Sequence, residues 1–462
     1  MLAPIAGHTF AEIVRDGRFR FLAALLMVLI VAGGFAGWQQ VRTLRAEATA
    51  ATAGERARWL DQGDKNPHSA AHYGVYAFKA PRPLAVLDPG VQPYLGSAIW
   101  LEAHKQNEPL YRAAADGTAL ERFGDLNAAL VGRVLLPLLV IFLGFATFAG
   151  ERERGTLRQL LALGVAPRAL LLGKALGLAT AVGLVLAPLA GLGIAAAAAL
   201  APAGQRADEL LRALGFVGVY ALYLGAFLLV TLAVSSLARS ARTALVVLLA
   251  AWLFGVVAWP RALSDLGRAL HPTPSSVAFR AELEAALGDP HGRETLEVQR
   301  QAILQRYGVK TTAELPINWA GVALQFGEER ANGLFDRFYG ELWSAFTAQE
   351  RVVQLGSWLS PAPALQLLSQ ALAGNDPAHH RAFVVQAETH RRGMQATLNG
   401  ALRDRKGVTT AYNWDAVAPF TFAPPTVGAA IAPVWLSLAL LLGWWLATAA
   451  LAFWSVRFIR PV

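Results

Sequence analysis

The chain contains no cysteine. That excludes a disulfide framework, a thiolate zinc site and a cysteine nucleophile. It is also short of charge. Asp, Glu, Lys and Arg make up 16% of its 462 residues, where an ordinary soluble protein carries about 25%. Apolar residues make up 55% and the mean hydropathy is positive, so the composition is that of a membrane protein. Signatures of catalysis are missing too. There is no G-x-x-x-x-G-K-[ST] phosphate loop, because Gly173-Lys174 is followed by Ala175 and lacks the upstream glycine. No H-E-x-x-H, G-x-S-x-G or kinase-type set occurs. A membrane-embedded sensor or enzyme therefore has nothing to work with.

Six apolar runs are present. They predict an all-α polytopic membrane protein with transmembrane helices over 19–41, 131–149, 175–200, 213–235, 243–259 and 431–456. The cores of these runs hold essentially no ionisable residue, whereas ion-driven transporters bind their coupling ion through such groups. Ahead of the first run, residues 5–18 carry Ala6, Phe10, Ile13, Val14 and Gly17 on one side, with Glu12, Arg15, Asp16 and Arg18 elsewhere. The spacing predicts an amphipathic helix lying on the membrane surface, with a plain basic flank as the alternative.

Charge sets the orientation. The short segments 1–18 (with Arg20), 150–174, 236–242 and 457–462 together carry +8 of the net +9. Region 42–130 balances ten basic against ten acidic residues, and region 261–430 balances sixteen against sixteen. The positive-inside rule therefore predicts both termini in the cytoplasm. It also predicts a small mixed external domain over 42–130, an external link over 201–212, a short cytoplasmic turn over 236–242 and a larger, mainly helical external domain over 260–430. Helices are expected over 42–60, 275–288, 293–307, 327–357, 363–373 and 377–402, amphipathic enough to pack in water. No folded region is basic enough to grip nucleic acid. No cytoplasmic segment is long enough to hold an ATPase, so an energy source would have to be a separate subunit.

Smaller signals complete the reading. Trp38, Trp252, Trp259, Trp435, Trp444, Trp445 and Trp454 sit near run ends, as interfacial anchors do. Gly33-x-x-x-Gly37 and Gly173-x-x-x-Gly177 permit close helix contact. His68 and His72 lie four apart and His379-His380 are adjacent. A metal-ligand pair is conceivable there, but Pro67 leaves the helical spacing open, and solvated surface histidines are the expectation.

The densest charge lies in Glu151-Arg152-Glu153-Arg154-Gly155-Thr156-Leu157-Arg158-Gln159-Leu160-Leu161, wedged between the second and third runs. Glu151 and Glu153 suit a helix N-terminus. Arg152, Arg154 and Arg158 could pair with acids on a partner, and Leu157, Leu160, Leu161 and Gly164 share one helix face that ends before Pro167. Taken from Phe148 to Val165, the stretch resembles the E-x-E-x-G-T-L-x-x-L-L segment of ABC-2-type permeases, the membrane subunits of ATP-binding-cassette transporters. Arg168 to Lys174 is similar to the family's continuation into the next span, and Glu12 to Phe19 to its interfacial helix.

The resemblance implies that Glu151 to Leu161 forms a coupling helix docking on a separate ATPase, which binds ATP and Mg. This chain would bind no cofactor of its own. It further implies a second permease subunit, identical or related, in the bacterial inner membrane. Trp358-Leu359-Ser360-Pro361-Ala362-Pro363, with Leu372 to Asp376, His379, His380 and Phe383, resembles a subgroup with a large periplasmic domain of unassigned role, which is in turn similar to the permeases used in gliding and in maturation of periplasmic metalloenzymes. Two functions follow as expectations. One is ATP-driven export. The other is mechanotransmission to a periplasmic partner without a translocated substrate.

Overall fold

The computed structural model describes residues 2–116, 127–289, 291–407 and 411–459, without the side chains of residues 18, 291 and 293. Among the described residues six helical stretches are long and apolar enough to cross a membrane: Phe19–Leu60, Ala128–Arg154, Pro167–Ala199, Arg206–Leu237, Ala241–Leu270 and Val427–Phe458. The chain begins with α1 (Leu2–Arg15), turns at Asp16 and enters α2 (Gly17–Leu60). At 44 residues, α2 is about 66 Å long. A bilayer needs roughly 20 residues of it, so the second half stands clear as a rod. Its sequence shows why: apolar residues give way after Val41 to Ala, Arg, Glu and Thr, which keep helix propensity without membrane affinity.

Between the first two apolar helices lie α3 (Pro67–Tyr73) and a three-stranded antiparallel sheet, β1 (Val75–Phe78), β2 (Ala98–Glu102) and β3 (Lys105–Gln106), in that order. Val75 faces Leu101 and Phe78 faces Ala98. The second apolar stretch opens with a π-helical turn, Val131–Leu135, continues as α4 (Leu136–Gly144), and is followed by α5 (Ala149–Arg154) and α6 (Thr156–Ala162). Then come α7 (Pro167–Ala199), α8 (Arg206–Leu237), α9 (Ala241–Trp252), a second π-helical turn over Leu253–Ala258, and α10 (Trp259–Leu270). The long polar region contains α11 (Ser276–Leu287), α12 (His291–Tyr307), α13 (Trp319–Gly356), α14 (Pro361–Ala373) and α15 (Pro377–Asp404), and α16 (Trp435–Ser455) closes the bundle.

Prolines explain the π turns' outside partners. Pro137 has no N–H to offer one turn back, and the Tyr223 hydroxyl donates to the Arg133 carbonyl instead (2.9 Å). Pro260 follows the second π turn, where the Gly255 carbonyl accepts from the Ser360 hydroxyl (2.7 Å). Glycine seams hold α1 and the first interspan loop. A Cβ at Gly173 would strike Ile5, one at Gly177 would strike Ala6 and Thr9, and one at Gly37 would lie 2.1 Å from the Val86 carbonyl. The predicted seam at Gly173 and Gly177 is therefore where α1 rests on α7. Three of the tryptophans expected as lipid anchors are internal staples. Trp252, Trp259 and Trp444 donate their indole N–H to the carbonyls of Val134, Gly356 and Ser357.

Three expectations need correction. First, the polar regions are not independent domains. The inner face of the sheet, Ala77, Ile99 and Leu101, shares a core with Phe383, Val384 and Ala387 of α15, closed by Trp59 and Trp414. Second, α14 does not sit in water. Ala364, Leu365, Leu368 and Leu372 pack into the main core beside Phe216 and Tyr220 of α8.

Third, 201–212 is not a solvated link, because α8 already begins at Arg206 and two of its four charges, Glu209 and Arg212, are buried. Arg212, fully buried, donates to Asp208 (2.8 Å), to the Ala371 and Leu372 carbonyls, and to the Pro425 carbonyl (2.6 Å). Arg82 pairs with Asp208 (3.0 Å) and Glu209 (2.7 Å). Asp208 also accepts from the Val427 N–H (2.7 Å). This node ties together the loop after β1, the start of α8, the end of α14 and the entry to the last apolar helix.

The histidines also differ from expectation. His379 and His380 are buried. His379 contacts Asp376 through Nδ1, and Lys79 Nζ lies 3.2 Å from His380 Nδ1. Burial, reinforced by Lys79, pushes the His380 pKa down to about 3, and burial pulls Lys79 down to about 8.

Candidate functional site

The charged stretch after the second apolar helix folds as an elbow. α5 ends at Gly155, whose φ of +75° is a left-handed conformation open to glycine. α6 follows at once and ends at Gly164, φ +79°. There the Val165 N–H reaches back to the Leu160 carbonyl and the Gly164 N–H to Leu161, so a second left-handed glycine closes the turn. Two glycines and Pro167 thus cut the expected single helix into two short helices and a loop.

The elbow is fastened to three neighbouring helices by polar contacts. Ser235, buried on α8, accepts from the Phe148 and Ala149 N–H groups (3.0 and 3.2 Å), capping the start of α5 from outside. Arg152 donates to the Ser236 and Ala238 carbonyls, both at 2.6 Å, where α8 ends and its carbonyls lack helical partners. Glu153 accepts from the Ala241 N–H at the start of α9 (3.2 Å). Glu151 lies 2.7 Å from Lys174 of α7, a lysine that also stacks 5.3 Å from the Phe148 ring and donates to the Thr147 carbonyl. Leu157 is buried, and Leu160 and Leu161 pack against the main core.

The predicted residues therefore divide into three sets. Glu151, Arg152, Leu157, Leu160 and Leu161 face inward. Arg152, expected to reach a partner's acid, is spent on backbone carbonyls of its own chain. Gly155 and Thr156 form the bend, with the Thr156 hydroxyl donating to the Glu151 carbonyl (3.3 Å). Glu153, Arg154 and Arg158 are exposed.

Sequence reasoning missed Leu163, which is 79% exposed at the tip of the elbow, because nothing in its spacing separates it from Leu160 and Leu161. It also missed Lys174 and Ser235. A lysine entering an apolar run needs a nearby carboxylate, and that signal could have paired Lys174 with Glu151.

The expected interfacial residues meet the elbow in part. Glu12 and Asp16 line a cavity of about 670 Å³ together with Phe19, Glu151, Arg154 and Lys174. The Arg15 carbonyl accepts from Arg20 (3.0 Å) and helps bridge the turn into α2. The Arg18 side chain lies outside the described residues. Because α1 rests on α7 and the elbow is bonded to α7, α8 and α9, the two predicted sets sit on one face of the bundle.

This face presents a basic, partly apolar surface, with Arg154, Arg158 and Leu163 exposed on it. The family model described as "ABC-2 family transporter protein" matches residues 3–461. No curated protein matches the chain.

Proposed function

The chain belongs to the ABC-2 transporter family, and from that premise we propose that it is the permease subunit of an ATP-driven exporter, gripped at the elbow by a separate ATPase. It is a multi-pass membrane protein, and the reading concerns how it is driven. The observation that carries it is the fastening of the elbow. Arg152, Glu153 and the Glu151–Lys174 pair bond 149–165 to α8, α9 and α7 at once. Arg154, Arg158 and Leu163 meanwhile remain on the surface for a partner. A force applied to that surface is distributed to three membrane helices through short charged contacts rather than through a loose loop.

In this reading the elbow and both termini face the cytoplasm, in the inner membrane. ATP and Mg are bound by the ATPase, and a second permease subunit completes the assembly. Arg154 and Arg158 meet acidic groups of the ATPase and Leu163 fills an apolar notch. The test is co-purification with an ATP-binding-cassette ATPase from the source cells. Wild type retains it, and the double substitution Arg158→Glu with Leu163→Glu loses it while the protein stays folded. Retention by the double variant overturns the reading.

A second reading has its own observation. α2 continues unbroken from the membrane to Leu60. Arg58 there pairs with Glu55 (2.6 Å), and the Trp59 indole donates to the Trp414 carbonyl (2.9 Å). Such a rod would carry movement of the first span into the polar regions and let them act on a partner without moving a substrate. Substrate captured between the membrane helices during turnover excludes this reading.

A further inference from the structure

Three histidines outside the elbow converge on one point of the first interspan region. Pro67 occupies the first turn of α3 and Asn66 caps it through the His68 N–H (2.8 Å), so His68 and His72 do stand one turn apart on one face. The third ring, His104, comes from the turn between β2 and β3. The Ala103 N–H donates to the Ala71 carbonyl (2.9 Å), which pins that turn against α3. One ring nitrogen from each histidine lies within 4.8 Å of the other two, and the ring centroids are 4.8, 5.4 and 5.1 Å apart.

The groups around the rings decide which nitrogens are free. His68 Nδ1 lies 3.1 Å from Asn399 Oδ1. His104 Nδ1 lies 2.8 Å from Glu328 Oε1, and Glu328 also accepts the His104 backbone N–H (2.8 Å). Both partners are acceptors, so each Nδ1 carries the proton and each Nε2 keeps its lone pair. That tautomer, oriented by a carboxylate or amide oxygen on the far nitrogen, is the one that ligates metals.

Glu328 is itself held by the buried Arg391 (3.1 Å), which also bonds Glu388 (2.8 Å) and Asn332 (2.6 Å). The first pair of ring nitrogens is already at ligand spacing: His68 Nε2 and His72 Nε2 are 3.2 Å apart, sharing a proton that a bound ion would displace. Two nitrogens bound to tetrahedral zinc at the usual bond length stand about 3.3 Å apart.

We propose that His68, His72 and His104 form a binding site for a divalent first-row transition ion of the zinc type, with three imidazole ligands and a fourth position open to solvent. His72 is exposed and the His104 side chain is 43% exposed, which gives the ion a path in and leaves room for water or one exchangeable ligand. All-nitrogen ligation favours Zn²⁺ or Cu²⁺ over Mg²⁺ and Ca²⁺, which prefer oxygen. The ligands come from the first interspan region, while Asn399 and Glu328, which orient them, come from α15 and α13. Loading the ion would therefore stiffen the joint between the two polar regions. The site stands or falls on metal binding alone, whatever drives the elbow.

The experiment uses the full chain in lipid nanodiscs, stripped with chelator and titrated with Zn²⁺ by calorimetry. Co²⁺ serves as an optical probe and Mg²⁺ as a control. The site predicts one Zn²⁺ per chain, visible Co²⁺ bands of tetrahedral intensity and no Mg²⁺ binding. His72→Ala, a surface substitution, abolishes the Co²⁺ bands and weakens Zn²⁺ by more than the about 10- to 100-fold expected of an outer-shell change. Its melting temperature in chelator matches wild type. Glu328→Gln weakens Zn²⁺ by about 10- to 100-fold through His104. Uptake well below one ion per chain, Mg²⁺ binding as tight as Zn²⁺, or an unchanged Zn²⁺ affinity in folded His72→Ala would overturn the proposal and leave a hydrogen-bonded histidine cluster.

Discussion

Two clusters of charge lie at the ends of the membrane helices, and they are built differently. At the node, Arg82, Glu209 and Arg212 are buried and Asp208 is half-buried, with almost every donor consumed inside the chain. At the elbow, Glu151 and Lys174 form one tight pair, Arg152 caps a helix end, and Arg154 and Arg158 stay at the surface. A buried, multiply bonded charge fastens, because removing one partner strands the other away from water. An exposed charge contributes little to stability and remains available to a partner. The node is thus a rivet, and the elbow is a handle with rivets at its base.

The largest break in this comparison comes from the node. Arg212→Met removes a donor from the Leu372, Ala371 and Pro425 carbonyls, of which the last two keep the Gly374 N–H and Arg82, and strips Asp208 and Glu209 of a cation. The expected loss is about 3–5 kcal/mol, read as a fall in the melting temperature of the detergent-solubilised protein. A loss below about 1 kcal/mol would mean that the node is no more than a surface pair.

Glu350 sharpens the contrast, because it is largely buried but unpaired. Burial, with Asp376 adding to it, raises its pKa to about 7, and its Oε1 finds no hydrogen-bond partner among the described residues. A raised pKa means that the fold favours the protonated form. Its stabilising contribution is therefore complete below about pH 4.5 and lost as the pH rises through about 7. Glu350→Gln should be more stable than wild type at pH 8, by up to about 3 kcal/mol, and equal to it near pH 4.5. Reading the difference between the two proteins removes the contributions of Lys79 and His380, which run the other way. A pH-independent difference would show that Glu350 is ionised throughout.

At the base of the elbow, Lys174→Met or Glu151→Gln alone should cost about 2–3 kcal/mol. The double substitution should cost less than the sum, with a coupling of about 1–2 kcal/mol. Additive losses would mean that the pair does not join the elbow to α7. Gly155→Ala should cost about 1–2 kcal/mol, from the left-handed backbone alone, since a Cβ there meets nothing within 4 Å. The smallest effect falls on the handle itself. Arg158→Glu should change stability by no more than about 0.5 kcal/mol while weakening retention of the ATPase.

The same contrast explains what the sequence makes legible. Six apolar runs announce themselves because a bilayer demands length and apolarity in one place, and the elbow stands out because Glu151 to Arg158 interrupts them. The helix end at Gly164 and Pro167 follows from local rules, whereas the break at Gly155, with its φ of +75°, does not show in the apolar spacing. The node is not legible. Arg206, Asp208, Glu209 and Arg212 sum to zero and look like a solvated connection, and only long-range partners, Arg82 and the Pro425 carbonyl, reveal that Glu209 and Arg212 are buried.

α14 hides for a related reason. Leu365, Leu368 and Leu372 could serve an amphipathic helix in water as well as a helix sunk between membrane helices. His104 stands 32 residues after His72 in the sequence, and only the pairing of β2 with β3 carries it to α3. Local periodicity shows what an element is; it does not show what the element is buried against.

The central claim is that the elbow is where an ATPase takes hold. Because the chain has no cysteine, single cysteines at Arg158 or Leu163 give a background-free probe, with a cysteine at the exposed Arg268 on α10 as control. The direct measurement is thiol cross-linking to the co-expressed ATPase, with and without ATP. The account predicts a cross-link from positions 158 and 163 whose yield changes with ATP, and none from position 268. Cross-linking from position 268 with none from 158 or 163 would contradict it.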